Sequence, residues 1–143
     1  MRILGLDYGA RRVGVALSDP TGTFAQPLET LACRGARDAS LYARIAARVR
    51  EYDVRRIVVG LPLHMNGGRG PEAQAAEAFG ARVAKAAGVP VEYLDERWTT
   101  LEARRACEEV GVRRARMKQH VDAVAASLIL RAYLERGVER ELP

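Results

Sequence analysis

The sequence predicts an α/β domain built on a mixed sheet of five strands flanked by helices, and three observations carry that prediction. Two adjacent runs, residues 3–8 and 12–18, alternate with the period of two that half-buried strands require. A third run, RIVVG at residues 56–60, is continuously apolar, as a strand covered on both faces must be. The stretches on either side of it carry apolar residues at helical spacing. Helices between the later strands make those strands parallel.

In the first strand Leu4, Leu6 and Tyr8 share one face, and Ile3, Gly5 and Asp7 share the other. In the second, Val13, Val15 and Leu17 alternate with Gly14, Ala16 and Ser18 across a turn carrying Gly9. The result is a hairpin with one bulky face and one small one, and a small face invites close approach by another element. Residues 24–33 (FAQPLETLAC) read as an edge or interrupted strand because Pro27 has no N–H for a ladder. Asp38 opens a helix to about Tyr52, with Leu41, Ile45 and Val49 on its apolar side. After RIVVG, residues 61–71 (LPLHMNGGRGP) hold too much proline and glycine to be anything but a loop. Residues 72–87 form an alanine-rich helix predicted to turn Ala75, Ala78, Phe79 and Val83 to the core and to end at Gly88. Residues 89–94 (VPVEYL) are the next strand. Thr99 and Glu102 make a capping box for a helix that stops at Gly111. A basic connector, residues 112–118, leads to a final helix from about Gln119 to Arg136, with Gly137 just past its end. No repeat or low-complexity linker interrupts the chain, so residues 1–143 are read as one domain.

The totals exclude several classes. Cys33 and Cys107 are far apart and in no ligand spacing, which leaves neither a disulfide framework nor a zinc module and fits a reduced compartment. No apolar run has the length of a membrane span, and the N-terminus enters a strand rather than a signal peptide. The expected setting is therefore the cytoplasm, with no membrane partner. Lys and Arg number 23 against 18 Asp and Glu, a net charge of +5, and nearly all of the basic charge is arginine. That balance favours a polyanionic partner, since arginine is the better bidentate phosphate ligand. The loop NGGRG does not match a Walker sequence, and neither His64 nor His120 has a nucleophile motif or a metal-spaced partner.

Three acids stand where structure alone does not ask for them. Asp7 ends the first strand, Glu96 follows VPVEYL, and Asp122 lies in the first turn of the last helix on the face of Ala126, Ile129 and Tyr133. Singly, Asp7 also fits a turn cap, Glu96 a surface salt bridge, and Asp122 an acid favoured by a helix N-terminus. Together they sit at ends of elements that one mixed sheet can bring to a single place. Each also has cations nearby: Arg11 and Arg12 after Asp7, Arg97 after Glu96, and Arg113, Arg114, Arg116 and Lys118 before Asp122. Carboxylates around Mg²⁺ or Mn²⁺, with arginines holding the backbone, are what phosphodiester hydrolysis needs. A charge run such as residues 113–118 is equally a solvated loop when read alone.

Four segments, LGLDYGARRVGVALSD, VVGLPLHMNGGRGP, YLDERWTTLEARR and VDAVAASLILRAYL, resemble in order the motifs of the YqgF/RuvX family. These are small bacterial proteins with an RNase H-like fold related to Holliday junction resolvases, and the resemblance spans residue 1 to about residue 136. It implies that Asp7, Glu96 and Asp122 are catalytic and metal-binding. It also implies that residues 60–62 and the loop 66–70, with Asn66, line the active-site side; His64, a departure from the family pattern, lies in the same glycine-rich loop and is placed to touch substrate. The related resolvases use a fourth carboxylate, for which Asp95 and Asp19 are the candidates here. The family is described both as a nuclease maturing the 5′ end of pre-16S rRNA and as a Holliday junction resolvase, so structured RNA and branched DNA are both implied substrates. Symmetric cutting of a four-way junction would call for a homodimer. A non-catalytic nucleic-acid-binding domain is the other class that the fold allows. LGLDYGARRVGVA also resembles the first phosphate loop of sugar-kinase and actin-like ATPases, but those close two domains on a nucleotide, and 143 residues hold one.

Overall fold

The computed structural model describes residues 1–98 and 118–141 of the chain, and side chains over residues 1–97 and 122–136. Five strands form one sheet in the order β3-β2-β1-β4-β5. The strands are β1 (Arg2–Tyr8), β2 (Arg12–Ser18), β3 (Ala25–Ala32), β4 (Val54–Leu61) and β5 (Val91–Asp95). β1 pairs antiparallel with β2, and β2 with β3; β4 lies parallel to β1, and β5 parallel to β4. The mixed sheet expected from the sequence is the one observed. Pro27 sits where the β2–β3 register slips between Val15 and Ala16, so β3 is the interrupted edge strand its proline demands.

Among the described residues three helices cover the sheet. On one face α1 (Ala39–Glu51) and α2 (Pro71–Ala87) bury Leu41, Ile45, Val49, Phe79 and Val83 against Leu4, Leu6, Val13, Val15, Ile57 and Val59. α1 starts where Asp38 accepts from the Ser40 N–H at 3.0 Å, and α2 ends at Gly88 in the left-handed region, φ +70°. On the other face α3 (Lys118–Glu141) lays Ala126, Ile129, Leu130 and Tyr133 on Ile3, Ala16, Val58 and Leu94. The two-faced hairpin therefore separates two cores, as the alternation in residues 3–8 and 12–18 requires.

Two expectations need correction. The buried face of α2 is Ala73, Ala76, Phe79, Gly80 and Val83, while Ala75 is half-buried and Ala78 exposed. Phe79 and Val83 fix the stripe, and positions three and four residues before Phe79 complete it as Ala76 and Ala75; the packing selects Ala76 and continues to Ala73. Gly137 does not end the last helix, which runs on to Glu141. A glycine costs a helix about 1 kcal/mol without terminating it. The predicted helix from Thr99 to Gly111 and the connector up to residue 117, with Arg113, Arg114, Arg116 and Cys107, lie outside the described residues. Among the described residues no helix is long and apolar enough to cross a membrane.

Candidate active site at the glycine-lined end of the sheet

Asp7 belongs to the row Ile3, Gly5, Asp7 on the α3 face and lies opposite Gly14 of β2. β1, β4 and β5 run parallel and side by side, so their C-terminal ends meet at one edge of the sheet. Glu96 begins a single 3₁₀ turn, Glu96–Trp98, directly after β5 at that edge. Asp122 comes to it from above, in the opening turns of α3.

Two glycines make this convergence possible. A Cβ on Gly14 would stand 1.9 Å from the backbone oxygen of Asp122, so only glycine lets α3 settle on β2 opposite Asp7. A Cβ on Gly60, in β4 between the two acid-bearing strands, would stand 2.6 Å from Glu96 Oε1 and 2.5 Å from Ile129 Cδ1. The space a side chain would fill at Gly60 is thus taken by the Glu96 carboxylate.

The electrostatics follow from this crowding. Asp7 is pushed up from an ordinary value of 3.8 to about 7, first by burial, then by the charge of Glu96, then by that of Asp122. Among the described residues no cation is paired with Asp7. Asp122 does have one: Arg12 Nε stands 3.4 Å from its Oδ2, with the arginine side chain still 53% exposed. The donor set fits a hard divalent cation. It consists of carboxylate oxygens only, and the carboxyl at its centre is held partly protonated by its burial and by two neighbours of its own sign. The fit is one of charge and donor type, since no three Asp, Glu, His or Cys side chains among the described residues are already gathered to ligating distance.

The other predicted residues divide sharply. Arg11 and Arg12 project from the β1–β2 turn, both exposed. Arg97 is committed within the chain: Nη2 meets Asp95 Oδ2 at 2.6 Å, Nε meets both Asp95 oxygens, and Nη1 donates to the Met65 carbonyl at 3.1 Å. It braces the loop between β4 and α2 and still has N–H donors left at an exposed position. In that loop His64 N donates to Gly68 O at 2.9 Å, Asn66 Oδ1 accepts from Gly68 N at 2.8 Å, and the His64 ring packs on Gly70. Lys118 opens α3. The two candidates for a fourth carboxylate are both engaged elsewhere. Asp95 is held below its usual range by Arg97, and Asp19 by hydrogen bonds from Phe24, Thr21 and Thr23.

Sequence reasoning passed over Gly60 as a spacer for Glu96 and the pairing of Arg97 with Asp95. The first had a signal, a glycine at the end of an otherwise apolar strand. The second had none, because a basic residue beside two acids does not say which it will meet.

The profile of the RuvX family, described as Holliday junction resolvase, matches residues 1–136. A protein of Pelotomaculum thermopropionicum named as a pre-16S rRNA nuclease is 50% identical over 135 residues, covering 94% of this chain and 87% of that one. A protein of Streptococcus gordonii with the same name is 45% identical over 138 residues, covering 96% of this chain and 99% of its own. Among solved structures, T. thermophilus RuvC in complex with a Holliday junction substrate aligns with a TM-score of 0.61 at 21% identity over 96% of both chains. The fowlpox virus Holliday junction resolvase aligns with a TM-score of 0.55 at 11% identity, covering 95% of this chain and 99% of that one. At such identities the likeness is one of fold, the RNase H-type fold of RuvC-like resolvases. A profile that spans the acid-bearing strands and the last helix alike, with relatives this similar over nearly the whole chain, makes the protein a member of the YqgF/RuvX family.

Proposed function

We propose that this protein is a divalent-metal-dependent nuclease that hydrolyses phosphodiester bonds in structured nucleic acid, with the 5′ end of pre-16S rRNA as its substrate. The observation that carries the reading is Asp7, half-buried and pushed up to about 7 between Glu96 and Asp122, with no cation of its own among the described residues. Buried like charges of this kind are costly, and they persist where a site uses them.

Asp7, Glu96 and Asp122 would hold Mg²⁺ or Mn²⁺, which when bound activates water and neutralises charge developing on the phosphate. Asp7 lies opposite Gly14, and α3 packed on Gly14 holds the Asp122 backbone in place beside it. Arg12 leans on Asp122 through one nitrogen and has exposed donors left for a phosphate oxygen. Water adds to phosphorus in line with the departing sugar oxygen, which leaves with a proton. Arg97 and Asp95 keep the β4–α2 loop at the rim of the site.

The names of the curated relatives support ribosomal RNA as the substrate, and the family description supports a second reading, resolution of branched DNA by two copies of the chain. A cleavage panel separates them: a 16S precursor leader, single-stranded DNA and a four-way junction, each with Mg²⁺, Mn²⁺ or EDTA, with Asp7→Asn as control. Metal-dependent cutting of the leader alone supports the first reading. Paired symmetric cuts in the junction, with the leader intact, replace it with the second. Binding without any cutting by the parent makes the domain a non-catalytic one.

A further inference from the structure

The end of the sheet that carries the acids also carries a second group of arginines, on the α1/α2 side, that the carboxylate site does not use. Residues 33–38 connect β3 to α1 at this end. Cys33 N donates to Arg11 O at 2.9 Å, which ties that segment to the β1–β2 turn. Its middle is fixed as well: the Ala36 carbonyl accepts from Arg82 Nη1 of α2 at 2.8 Å and from the Tyr42 hydroxyl of α1. Asp38, the acid of this segment, turns its oxygens to the Arg34 N–H and to Ser40. Arg11, Arg34, Arg37 and Arg82 are all exposed on this braced surface. Among the described residues, no carboxylate meets the side chains of Arg11, Arg34 or Arg37. Three exposed arginines elsewhere are each matched by an acid, Arg55 by Asp53, Arg69 by Glu77 and Arg131 by Glu135, and Arg50 stands by itself at the end of α1 rather than in a group. An unmatched positive group on a rigid surface is a self-repelling arrangement, and a polyanion relieves it.

We propose that Arg11, Arg34, Arg37 and Arg82 form a track for the sugar–phosphate backbone of the substrate, running from the carboxylates over the β1–β2 turn to the far side of the sheet. The connection is continuous. Arg12 at the turn touches Asp122, Arg11 next to it holds residue 33, and Arg82 holds residue 36. The track rests on the nuclease reading for its direction, since it begins at the acids. It binds backbone and not bases, so it demands length on one side of the cut rather than sequence.

The test uses Arg34→Ala/Arg37→Ala, whose side chains make no bond to the described residues, and a triple variant adding Arg82→Ala. Binding is measured in the Asp7→Asn background with a long precursor leader RNA and with a short fragment spanning only the cleavage position. Each lost phosphate contact should flatten the slope of log affinity against log salt by about 0.7–0.9. The double variant should lower the slope by about twice that for the long RNA and leave the fragment unaffected, and lysine at both positions should restore it. In cleavage by the Asp7 parent protein, KM should rise at least about tenfold on the long RNA with kcat unchanged. Slopes and KM equal to the parent's on both RNAs overturn the track, as does an equal loss on both. A flattened slope in a protein whose parent cuts nothing upholds the track and removes the nuclease reading instead.

Discussion

The two faces of the sheet are packed by opposite means. Under α1 and α2 the strands present Leu4, Leu6, Val13, Val15, Ile57 and Val59, and helix meets sheet through interlocked large side chains. Under α3 the same strands set Gly5, Gly14 and Gly60 among Ile3, Ala16 and Val58, and at the glycines the helix comes down until its backbone nearly touches the sheet. The first arrangement is bought with apolar burial, roughly 1.5–3 kcal/mol for each large side chain. The second gives up much of that burial. What it gains is position: Asp122 set opposite Asp7, and Glu96 laid across Gly60. One face holds the fold together, and the other holds charges where they would not otherwise stay.

The sharpest way to break this division is to neutralise the acids. Asp7→Asn, Glu96→Gln and Asp122→Asn should each cut cleavage by several orders of magnitude while circular dichroism stays that of the parent. A variant that retains activity within about tenfold identifies that acid as structural and dissolves the site.

Steric substitutions sharpen it next. Gly14→Ala places a carbon 1.9 Å from the Asp122 backbone oxygen, and neither partner is a flexible side chain. α3 must lift, at a cost of about 3 kcal/mol or more, and a displacement near 1 Å should lower kcat by about 100-fold. Ile45→Ala, in the α1/α2 core, should cost a similar 2–5 kcal/mol yet leave activity unchanged below the melting temperature. Equal loss of activity in the two variants would show that the faces are not separate in function. Gly60→Ala lies between them. The Glu96 carboxylate can swing aside and the Ile129 methyl can shift, so stability should fall by only about 1 kcal/mol while cleavage falls at least tenfold.

The same contrast explains what was legible in the sequence. A period of two in residues 3–8 and 12–18 is local, and it told apart the row of Leu4, Leu6 and Tyr8 from the row of Ile3, Gly5 and Asp7. The Asp38 cap, the buried RIVVG strand and the Gly88 stop are equally local. The face of α2 was not legible, because in a run of alanines the burial of Ala73 and Ala76 over Ala75 and Ala78 is decided by the sheet below. The three acids stood out by their places at element ends, and the structure brings Glu96 and Asp122 to Asp7. Their spacing did not stand out, since the fit of Asp122 on Gly14 joins residues far apart in the chain.

An effect on stability alone, with no cleavage to read, separates a charged site from a turn cap. The Asp7 carboxyl titrates at about 7 in the folded chain against an ordinary 3.8, so between these values the folded chain keeps a proton that the unfolded chain has lost. Stability therefore falls as pH rises through that window and levels off above it. Asp7→Asn removes the titration. It should change stability little near about pH 4 and raise it by roughly 2–4 kcal/mol near about pH 8, because each unit of displacement is worth about 1.4 kcal/mol. Millimolar Mg²⁺ or Mn²⁺ should raise the melting temperature of the parent at the higher pH, by binding the folded state, and do much less for Asp7→Asn. Melts of both proteins at the two pH values, with EDTA and with metal, read all of this in one series. A turn cap behaves in the opposite way: its loss destabilises by about 1 kcal/mol, the parent ignores the metal, and a cap stabilised by ionisation grows stronger as pH rises. That pattern in the melts would make Asp7 a residue of the turn and leave Glu96 and Asp122 without a centre.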